Sequence, residues 1–321
     1  MGRQKETVGR FAPTPSGRMH LGNLLCALLA WLSARKDGGR VILRIEDLDV
    51  ERAKPAYTRQ LLKDLLLLGL TWDEGGLAAG EPGPYCQSQR TAYYEGLLQK
   101  LQCKGLLYPC FCSRAELHAA SAPHASDGEL MYSGKCRQVS PKEAEKLAEK
   151  RPPALRLVVP DREIAFQDGH YGEIRQNLQK ECGDFILRRS DGVFAYQLAV
   201  VADDAAMGVT QVVRGRDLLS STPRQLYLYE LLGFAPPAYF HTPLLLAPDG
   251  RRLSKRDGDI SLSALLEKGF SPRDITGRLA CCAGLLPAPR PVSPQELLPL
   301  FSWDKVPKED IRLPAGLFER P

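Results

Sequence analysis

The sequence predicts an α/β protein built on a parallel sheet, with a β-rich insertion and a C-terminal helical region. The first observation is the order strand, loop, helix at the N-terminus. Apolar residues bounded by turn formers cover 7–11, prolines and a glycine follow over 13–17, and leucines recur at helical spacing over 20–35. The second observation is a buried strand pattern over 208–213 that precedes another helix start. Alternation of strands with helices is typical of a parallel sheet.

Length and composition indicate a globular protein of two or three compact units. The chain has 321 residues, of which 44% are hydrophobic and 25% charged. A net charge of +5 permits a nucleic-acid partner but does not predict one alone. The N-terminus has no apolar segment of the signal-peptide type, and the leucine-rich run over 61–70 is too short to span a bilayer. Nine cysteines without a secretion signal indicate a reducing compartment, so we expect a cytoplasmic protein without a membrane partner.

The loop over 10–23 has the features of a phosphate site. A helix start presents backbone N–H groups and a positive dipole to an anion, and Gly17 and Gly22 allow a ligand to come close. His20 stands at the entrance of the helix, where its ring could donate to a phosphate. On its own, a His-x-Gly motif is more often an ordinary surface loop, so this hypothesis depends on the rest of the chain.

The same loop resembles the nucleotide-binding signature of class I aminoacyl-tRNA synthetases of the glutamyl type. In that family the loop runs Arg-Phe-Ala-Pro-Ser/Thr-Pro-Ser/Thr-Gly-x-x-His-x-Gly-x. The fourth position of the family's His-Ile-Gly-His tetrad is Asn23 here, which can form hydrogen bonds but cannot carry charge. The resemblance implies a Rossmann-type catalytic sheet and ATP binding by a set of loop residues: Pro13, His20, Gly22 and Asn23.

A second strand is predicted over 40–45, and it ends in the acidic segment 46–49. Acidic residues past the carboxyl end of a parallel strand lie where open α/β sheets bind ligands, although an acidic surface turn is the simpler alternative. Glutamyl-type enzymes carry Arg-Ile-Glu-Asp-x-Asp here, and the resemblance implies that Glu46 holds the α-amino group of the substrate. Further elements are predicted by periodicity: helices over 57–69 and 87–104, strands over 155–159, 162–167 and 184–189, and helices from 261 onward.

The strand over 208–213 leads into a predicted helix start. Thr222 has the residue type of an N-cap, Pro223 suits the first turn, and Gln225 would complete a capping box. These three residues therefore predict that a helix begins at 222.

The resemblance also implies an amino-acid pocket. Tyr196 and Arg214 match pocket residues of the family, and Arg10 belongs to the first signature. Guanidinium groups hold a carboxylate bidentately and keep their charge, so two of them should make the pocket prefer glutamate to glutamine. An ordinary strand-end position remains the alternative for Arg214. The glutamate-binding residues implied are Arg10, Phe11, Ala12, Pro13, Thr14, Glu46, Tyr196 and Arg214.

A cysteine cluster predicts a zinc site. Cys110 and Cys112 are followed by Cys136, and three thiolates are one ligand short of a closed tetrahedral site. The candidates for the fourth ligand are Tyr132, His118, His124 or water. Chemistry alone favours a histidine, because a phenol must ionise from a pKa of about 10. Short relatives of the glutamyl type carry Cys-x-Cys…Tyr-x-x-x-Cys, and this resemblance implies one structural Zn²⁺ per chain held by Cys110, Cys112, Tyr132 and Cys136. Three unliganded core thiols are the alternative.

The basic, glycine-flanked loop over 248–258 resembles the second class I signature, Lys-Met-Ser-Lys-Ser. Arg252 replaces the first lysine and keeps its charge, and Lys255 matches the second. The resemblance implies that Lys255 stabilises charge on the departing pyrophosphate, so His20 and Lys255 are the catalytic residues that we expect.

These assignments imply four segments. We expect the first half of the catalytic domain over 1–106, a zinc-binding insertion over 107–190, the second half over 191–246, and the second signature with a helical region over 247–321. A conventional glutamyl-tRNA synthetase continues into an anticodon-binding region, and we expect none here.

The short relatives imply the chemistry. They activate L-glutamate with ATP and Mg²⁺ without RNA and transfer it to queuosine in the anticodon of tRNA(Asp), and we expect a monomer that does the same. The alternatives are a truncated glutamyl-tRNA synthetase that charges the 3′ end and a non-catalytic tRNA-binding paralogue. The second alternative conflicts with an intact set of site residues: Arg10, His20, Glu46, Arg214 and Lys255.

Overall fold

The computed structural model describes residues 6–77, 83–113, 116, 132–253 and 261–318. The strands are β1 (Val8–Phe11), β2 (Arg40–Leu43), β3 (Glu74–Gly75), β4 (Leu107–Cys110), β5 (Ala154–Leu157), β6 (Glu163–Asp168), β7 (Gly172–Asn177), β8 (Phe185–Arg188), β9 (Gln211–Gly215), β10 (Ala238–Thr242), β11 (Leu245–Leu246) and β12 (Ile311–Arg312). The α-helices are α1 (Leu21–Lys36), α2 (Pro55–Leu67), α3 (Thr91–Cys103), α4 (Pro141–Lys150), α5 (Leu178–Glu181), α6 (Tyr196–Ala206), α7 (Thr222–Leu232), α8 (Leu262–Glu267), α9 (Pro272–Cys282) and α10 (Pro294–Leu297).

A seven-stranded sheet in the order β3-β2-β1-β9-β10-β6-β7 forms the centre of the molecule. All neighbouring strands run parallel except β6 and β7, which form an antiparallel hairpin at one edge. The mainly parallel α/β architecture predicted from the sequence is therefore confirmed. The carboxyl ends of β1, β2 and β9 meet at one edge of this sheet, where α/β folds bind their ligands.

Helix α1 packs directly against the middle of the sheet. Its predicted leucine stripe is buried, and so are Trp31 and the alanines between the leucines, because the sheet covers one side and C-terminal helices cover the other. Gly9 in β1 makes this close approach possible: a Cβ at that position would lie 2.7 Å from the Cβ of Ala34. The first strand and the first helix are thus held rigidly on either side of the loop that joins them.

The insertion divides into two parts. Strands β4, β5 and β8 form a separate three-stranded antiparallel sheet, whereas the β6–β7 hairpin leaves it and extends the central sheet. Strands predicted over 155–159, 162–167 and 184–189 are present within one or two residues, but β7 was not predicted. Asp168 at the end of β6 pairs with Tyr239 of β10, so the hairpin contacts the rest of the central sheet directly.

The C-terminal region is helical as predicted, and it packs on the same apolar core as α1. Serines cap α8, α9 and α10 through side-chain acceptors, and prolines occupy the first turns of α9 and α10. Strand β12 pairs in parallel with β11, so the C-terminal region lies next to the strand that precedes the second signature. Among the helices that the structure describes, none has the length and apolar composition needed to cross a bilayer.

Candidate functional site

A cavity of about 490 Å³ opens at the carboxyl edge of the central strands. Its lining includes residues from both predicted signatures, from the end of β2, from the start of α6 and from the end of β9. The structure thus brings together every predicted ATP- and glutamate-contacting residue except Lys255: Arg10, Phe11, Ala12, Pro13, Thr14, His20, Gly22, Asn23, Glu46, Tyr196 and Arg214. Lys255, like the histidines His118 and His124, lies outside the described residues.

The first loop is fixed by hydrogen bonds at the start of α1. His20 is the N-cap residue, and it forms a reciprocal capping box with Asn23. The main-chain N–H of Asn23 donates to Nδ1 of His20 at 3.4 Å, and Oδ1 of Asn23 accepts from the N–H of His20 at 3.2 Å. Because Nδ1 is an acceptor, a neutral ring carries its proton on Nε2 and can donate from that side. Asn23 therefore serves to orient His20, a local role that the sequence comparison with the tetrad did not suggest.

Glu46 is held next to this loop by its backbone and its charge partners. Its N–H donates to the carbonyl of Pro13 at 3.1 Å, and its Oε1 accepts from Nη2 of Arg44 at 3.2 Å. Burial raises the pKa of Glu46, and the positive charges of Arg44 and Arg10 partly offset that effect. A carboxylate so placed can accept from an ammonium group in the cavity.

A buried charge network, which the sequence analysis missed, contacts the cavity residues Arg10 and Glu46. Arg44 is fully buried and donates from Nη1 to Oδ1 of Asp204 at 2.6 Å, and Nε of Arg10 lies 3.5 Å from the same oxygen. Neighbouring Asp203 accepts from Arg90 at 2.6 Å. Each buried charge has an opposite partner, which the low-dielectric interior requires. The sequence signal was the Asp203-Asp204 pair within an apolar helix.

Arg214 is held by four hydrogen bonds within the protein. Its Nε donates to His241 at 3.0 Å, Nη1 to Gln225 at 2.8 Å, and Nη2 to the carbonyl of Leu218 at 3.2 Å and to Thr222 at 2.8 Å. A guanidinium group has five N–H donors, so one donor on Nη1 remains with no acceptor among the described residues. In this arrangement Arg214 has one donor left for a ligand, and its grip on the carboxylate of glutamate stays a prediction.

The predicted capping box of α7 is wrong, because its two polar side chains bond to Arg214. The N-cap is Ser221, without a side-chain capping hydrogen bond, and Thr222 is the first helical residue. Thr222 and Gln225 are buried and accept from Arg214 instead of from the helix backbone. A charged donor makes a stronger hydrogen bond than a backbone amide, so the arginine takes these acceptors.

The second signature approaches the first across the cavity. Arg252 and Leu253 line the cavity, and Ser261 pairs with His20 in an isolated antiparallel bridge. Arg18 adds a hydrogen bond to Ser263 at the start of α8. Described residues from both sides of the segment 254–260 thus lie at the cavity or beside the first signature.

A second cavity of about 840 Å³ adjoins the first. The two share Asp217, Leu244 and Arg252, and the second continues between the β6–β7 hairpin and the end of β11. Arg216 lies in its wall, paired with Asp310 at 2.9 Å. The two cavities are therefore neighbours with a common wall.

Three of the predicted metal ligands form a compact cluster. The sulfur atoms of Cys110, Cys112 and Cys136 lie within 4.8 Å of one another, and those of Cys112 and Cys136 are 3.6 Å apart. Tetrahedral zinc with Zn–S bonds of about 2.3 Å places two sulfurs about 3.8 Å apart. The cluster therefore fits a closed metal site, and the residues can hold one metal ion.

Tyr132 lies next to this cluster. Its hydroxyl oxygen is 3.7 Å from the sulfur of Cys112 and accepts from the main-chain N–H of Cys136 at 2.8 Å. The guanidinium of Arg156 stacks over its ring, 3.9 Å from the ring centre, where a cation favours negative charge on the phenol. Burial raises the pKa of the phenol. Tyr132 as the fourth ligand remains a prediction.

We expect the purified protein to contain one zinc ion per chain and the Cys136→Ser variant to contain none. Loss of the ion should unfold the β4-β5-β8 sheet before the rest of the molecule, because Cys110 and Cys136 anchor that sheet to the loops beside it. Metal analysis and hydrogen exchange measure both effects. Cys103→Ser, at an exposed position on α3, is the matched control and should keep its zinc. Wild-type protein prepared without chelator and found to lack zinc would contradict the assignment.

Comparisons with known proteins agree with this geometry. The family described as tRNA synthetases class I (E and Q), catalytic domain, matches residues 6–287. The glutamyl-Q tRNA(Asp) synthetase of Symbiobacterium thermophilum is 53% identical over 310 residues, which is 96% of either chain. That of Nitratidesulfovibrio vulgaris is 50% identical and covers 97% of either chain. A crystal structure of a glutamate tRNA ligase from Elizabethkingia meningosepticum with its amino acid superposes with a TM-score of 0.84 at 30% identity, over 98% of this chain and 68% of that one.

Proposed function

This chain belongs to the glutamyl-Q tRNA(Asp) synthetases, a ligase family within the class I tRNA synthetases (E and Q), and on that basis we propose its reaction. It activates L-glutamate with ATP to glutamyl-adenylate and transfers the glutamyl group to queuosine in the anticodon of tRNA(Asp). The observation that carries the first step is the cavity of about 490 Å³ at the carboxyl edge of the sheet, which is lined by residues of both nucleotide signatures and of the implied amino-acid pocket.

In the first step the α-carboxylate of glutamate attacks the α-phosphorus of ATP, and pyrophosphate leaves. A carboxylate is already a nucleophile, so this chain needs to supply only position and charge. Glu46 would hold the ammonium group, and Arg10, Tyr196 and Arg214 would hold the rest of the amino acid. His20 would donate from Nε2 to a phosphate at the start of α1, where the helix dipole adds to the attraction. Mg²⁺ bound with ATP would neutralise phosphate charge, while zinc at the cysteine cluster would be structural.

In the second step a hydroxyl of the acceptor attacks the carbonyl carbon of glutamyl-adenylate, and AMP leaves. Because glutamyl-adenylate occupies the first cavity, the acceptor must bind next to that cavity. The adjoining cavity meets this need, because it shares Asp217, Leu244 and Arg252 with the first and is large enough for a nucleoside. We therefore place the acceptor nucleoside between the β6–β7 hairpin and β11.

Activation of glutamate is expected to need no RNA. Arg10, Glu46, Tyr196 and Arg214 line the cavity in the protein alone, so no part of the pocket has to be supplied by a bound tRNA. Glutamate-dependent exchange of labelled pyrophosphate into ATP should appear with protein, ATP and Mg²⁺ only. Glutamine is the control substrate and should support little exchange, since it lacks the carboxylate for the arginines. A strict requirement for tRNA would count against the proposal.

A further inference from the structure

A chain of buried hydrogen bonds connects the β6–β7 hairpin to Arg214. His241 lies beside Arg214 in the register of β9 and β10, and its Nε2 is the atom that accepts from Nε of Arg214 at 3.0 Å. Nδ1 of the same ring lies 2.6 Å from Oδ2 of Asp168, the last residue of β6. The exposed fractions of Asp168, His241 and Arg214 are 1%, 0% and 4%, so water does not compete for these contacts.

The tautomer of His241 follows from Arg214 and Asp168, and the hydroxyl of Thr222, 3.5 Å from Nε2, can donate to the same nitrogen. Nε of an arginine can only donate, so Nε2 of His241 must present a lone pair, and the single proton of the neutral ring lies on Nδ1. That proton is donated to Asp168, whose carboxylate can only accept. Burial, together with the charge of Arg214, lowers the pKa of His241 to about 4 although Asp168 acts in the opposite direction. The ring is therefore neutral near pH 7, with Nδ1 as the donor and Nε2 as the acceptor.

Asp168 is itself fixed by the backbone. Its Oδ1 accepts from the N–H groups of His170 at 3.0 Å and Tyr171 at 2.9 Å, in the turn that begins β7. Oδ1 also accepts from the main-chain N–H of His241 at 3.4 Å. With Oδ1 occupied by three main-chain donors, Oδ2 is the oxygen that faces the ring of His241. The Nε side of Arg214 is thus held by a turn in the hairpin, through one carboxylate and one imidazole, while Gln225, Leu218 and Thr222 hold the Nη groups.

We propose that Asp168 and His241 are positioning residues for glutamate. They hold the Nε side of the Arg214 guanidinium, so that the remaining Nη1 donor keeps one direction in the cavity when the amino acid binds. This inference rests on the proposed function, because it takes Arg214 to contact glutamate. Asp168 is 46 positions from Arg214 in the sequence, and neither Asp168 nor His241 lines the cavity.

The Asp168→Asn variant tests the chain of hydrogen bonds with almost no change of shape. The three main-chain donors keep the amide oxygen at the Oδ1 position, so the NH₂ group faces His241 and donates to Nδ1. The ring proton must then move to Nε2, where it opposes the Nε–H of Arg214. In pyrophosphate exchange we expect KM for glutamate to rise about tenfold or more, since a hydrogen bond to a charged group is lost. KM for ATP should stay within about twofold. Asp161→Asn, an exposed carboxylate just before β6, is the control and should change neither.

A second variant separates the tautomer effect from a structural role of Asp168. In His241→Gln an amide oxygen can replace Nε2 as the acceptor for Arg214, and an amide has no tautomers. Its KM for glutamate should lie below that of Asp168→Asn. The double variant should match His241→Gln alone, because there is no imidazole proton left to misplace. If the Asp168→Asn penalty persists undiminished in the double variant, the carboxylate acts through folding and the inference fails.

Nitrogen NMR of the wild-type protein gives a test that needs no activity. The chain has five histidines, and the spectrum of His241 should show a protonated Nδ1 and an unprotonated Nε2 that does not titrate near pH 7. In Asp168→Asn the two nitrogens should exchange roles. A protonated Nε2 in the wild type, or an unchanged KM for glutamate in a folded Asp168→Asn protein, would overturn the inference. Wild-type protein with the expected tautomer but without glutamate-dependent exchange would instead refute the proposed function alone.

Discussion

Transfer of glutamate is expected to require queuosine without exception. The nucleophile in the second step is a hydroxyl of the cyclopentenediol ring of that base, and an unmodified guanine has no such hydroxyl. With labelled glutamate and ATP, tRNA(Asp) from a queuosine-deficient host should therefore accept no label, whereas tRNA(Asp) that carries queuosine should accept it. Pyrophosphate exchange with glutamate should be the same in both reactions, which shows that only the acceptor differs.

An isolated anticodon stem-loop with queuosine should also accept glutamate. Bases in a loop can be splayed out and read through their edges and by stacking, so one arm of a tRNA contains all that such recognition needs. The cavity beside the adenylate site is walled by Arg216 and by the β6–β7 hairpin, which suits a single inserted nucleoside. Nuclease digestion of the product locates the label. Recovery of that label on the 3′-terminal adenosine of tRNA(Glu) would refute this prediction and favour a truncated glutamyl-tRNA synthetase.

Lys255→Ala is expected to slow glutamate activation about 10²-fold or more while leaving KM for glutamate nearly unchanged. The segment 254–260 begins after Leu253 in the cavity wall and ends at Ser261, which pairs with His20. The resemblance of this segment to the second class I signature assigns Lys255 to the phosphate end of the substrate. Charge builds on the departing pyrophosphate only as the bond breaks, so loss of the ammonium group affects the transition state more than the bound amino acid.

The matched control for this variant is Lys268→Ala. Lys268 is an exposed lysine at the end of α8, in the same region of the chain, and its removal should leave the rate of exchange unchanged. Steady-state exchange kinetics with varied glutamate separate turnover from KM. If KM for glutamate rises while turnover holds, Lys255 contacts the amino acid and the role assigned to it is wrong.

The sequence by itself determined the elements whose signals are local. The β1–loop–α1 unit could be predicted because its turn formers and its leucine spacing lie within 30 consecutive residues, and the structure places His20 at the predicted helix start. The cysteine cluster could be predicted because two of its thiolates are separated by one residue. Resemblance to a family added the pocket residues, and the structure places the described ones around one cavity.

Only the tertiary structure decided how Arg214 is used. Thr222 and Gln225 suited a capping box by their spacing, but in the folded chain they accept hydrogen bonds from an arginine that carries a full charge. Asp168 and His241 are 73 positions apart and meet only because the hairpin joins the central sheet. Local sequence patterns predict the hydrogen bonds that a residue can form within its own helix or strand. A buried arginine instead bonds to acceptors that packing places around it from several elements. Burial of its charge without these acceptors would destabilise the fold by more than a local hydrogen bond stabilises it.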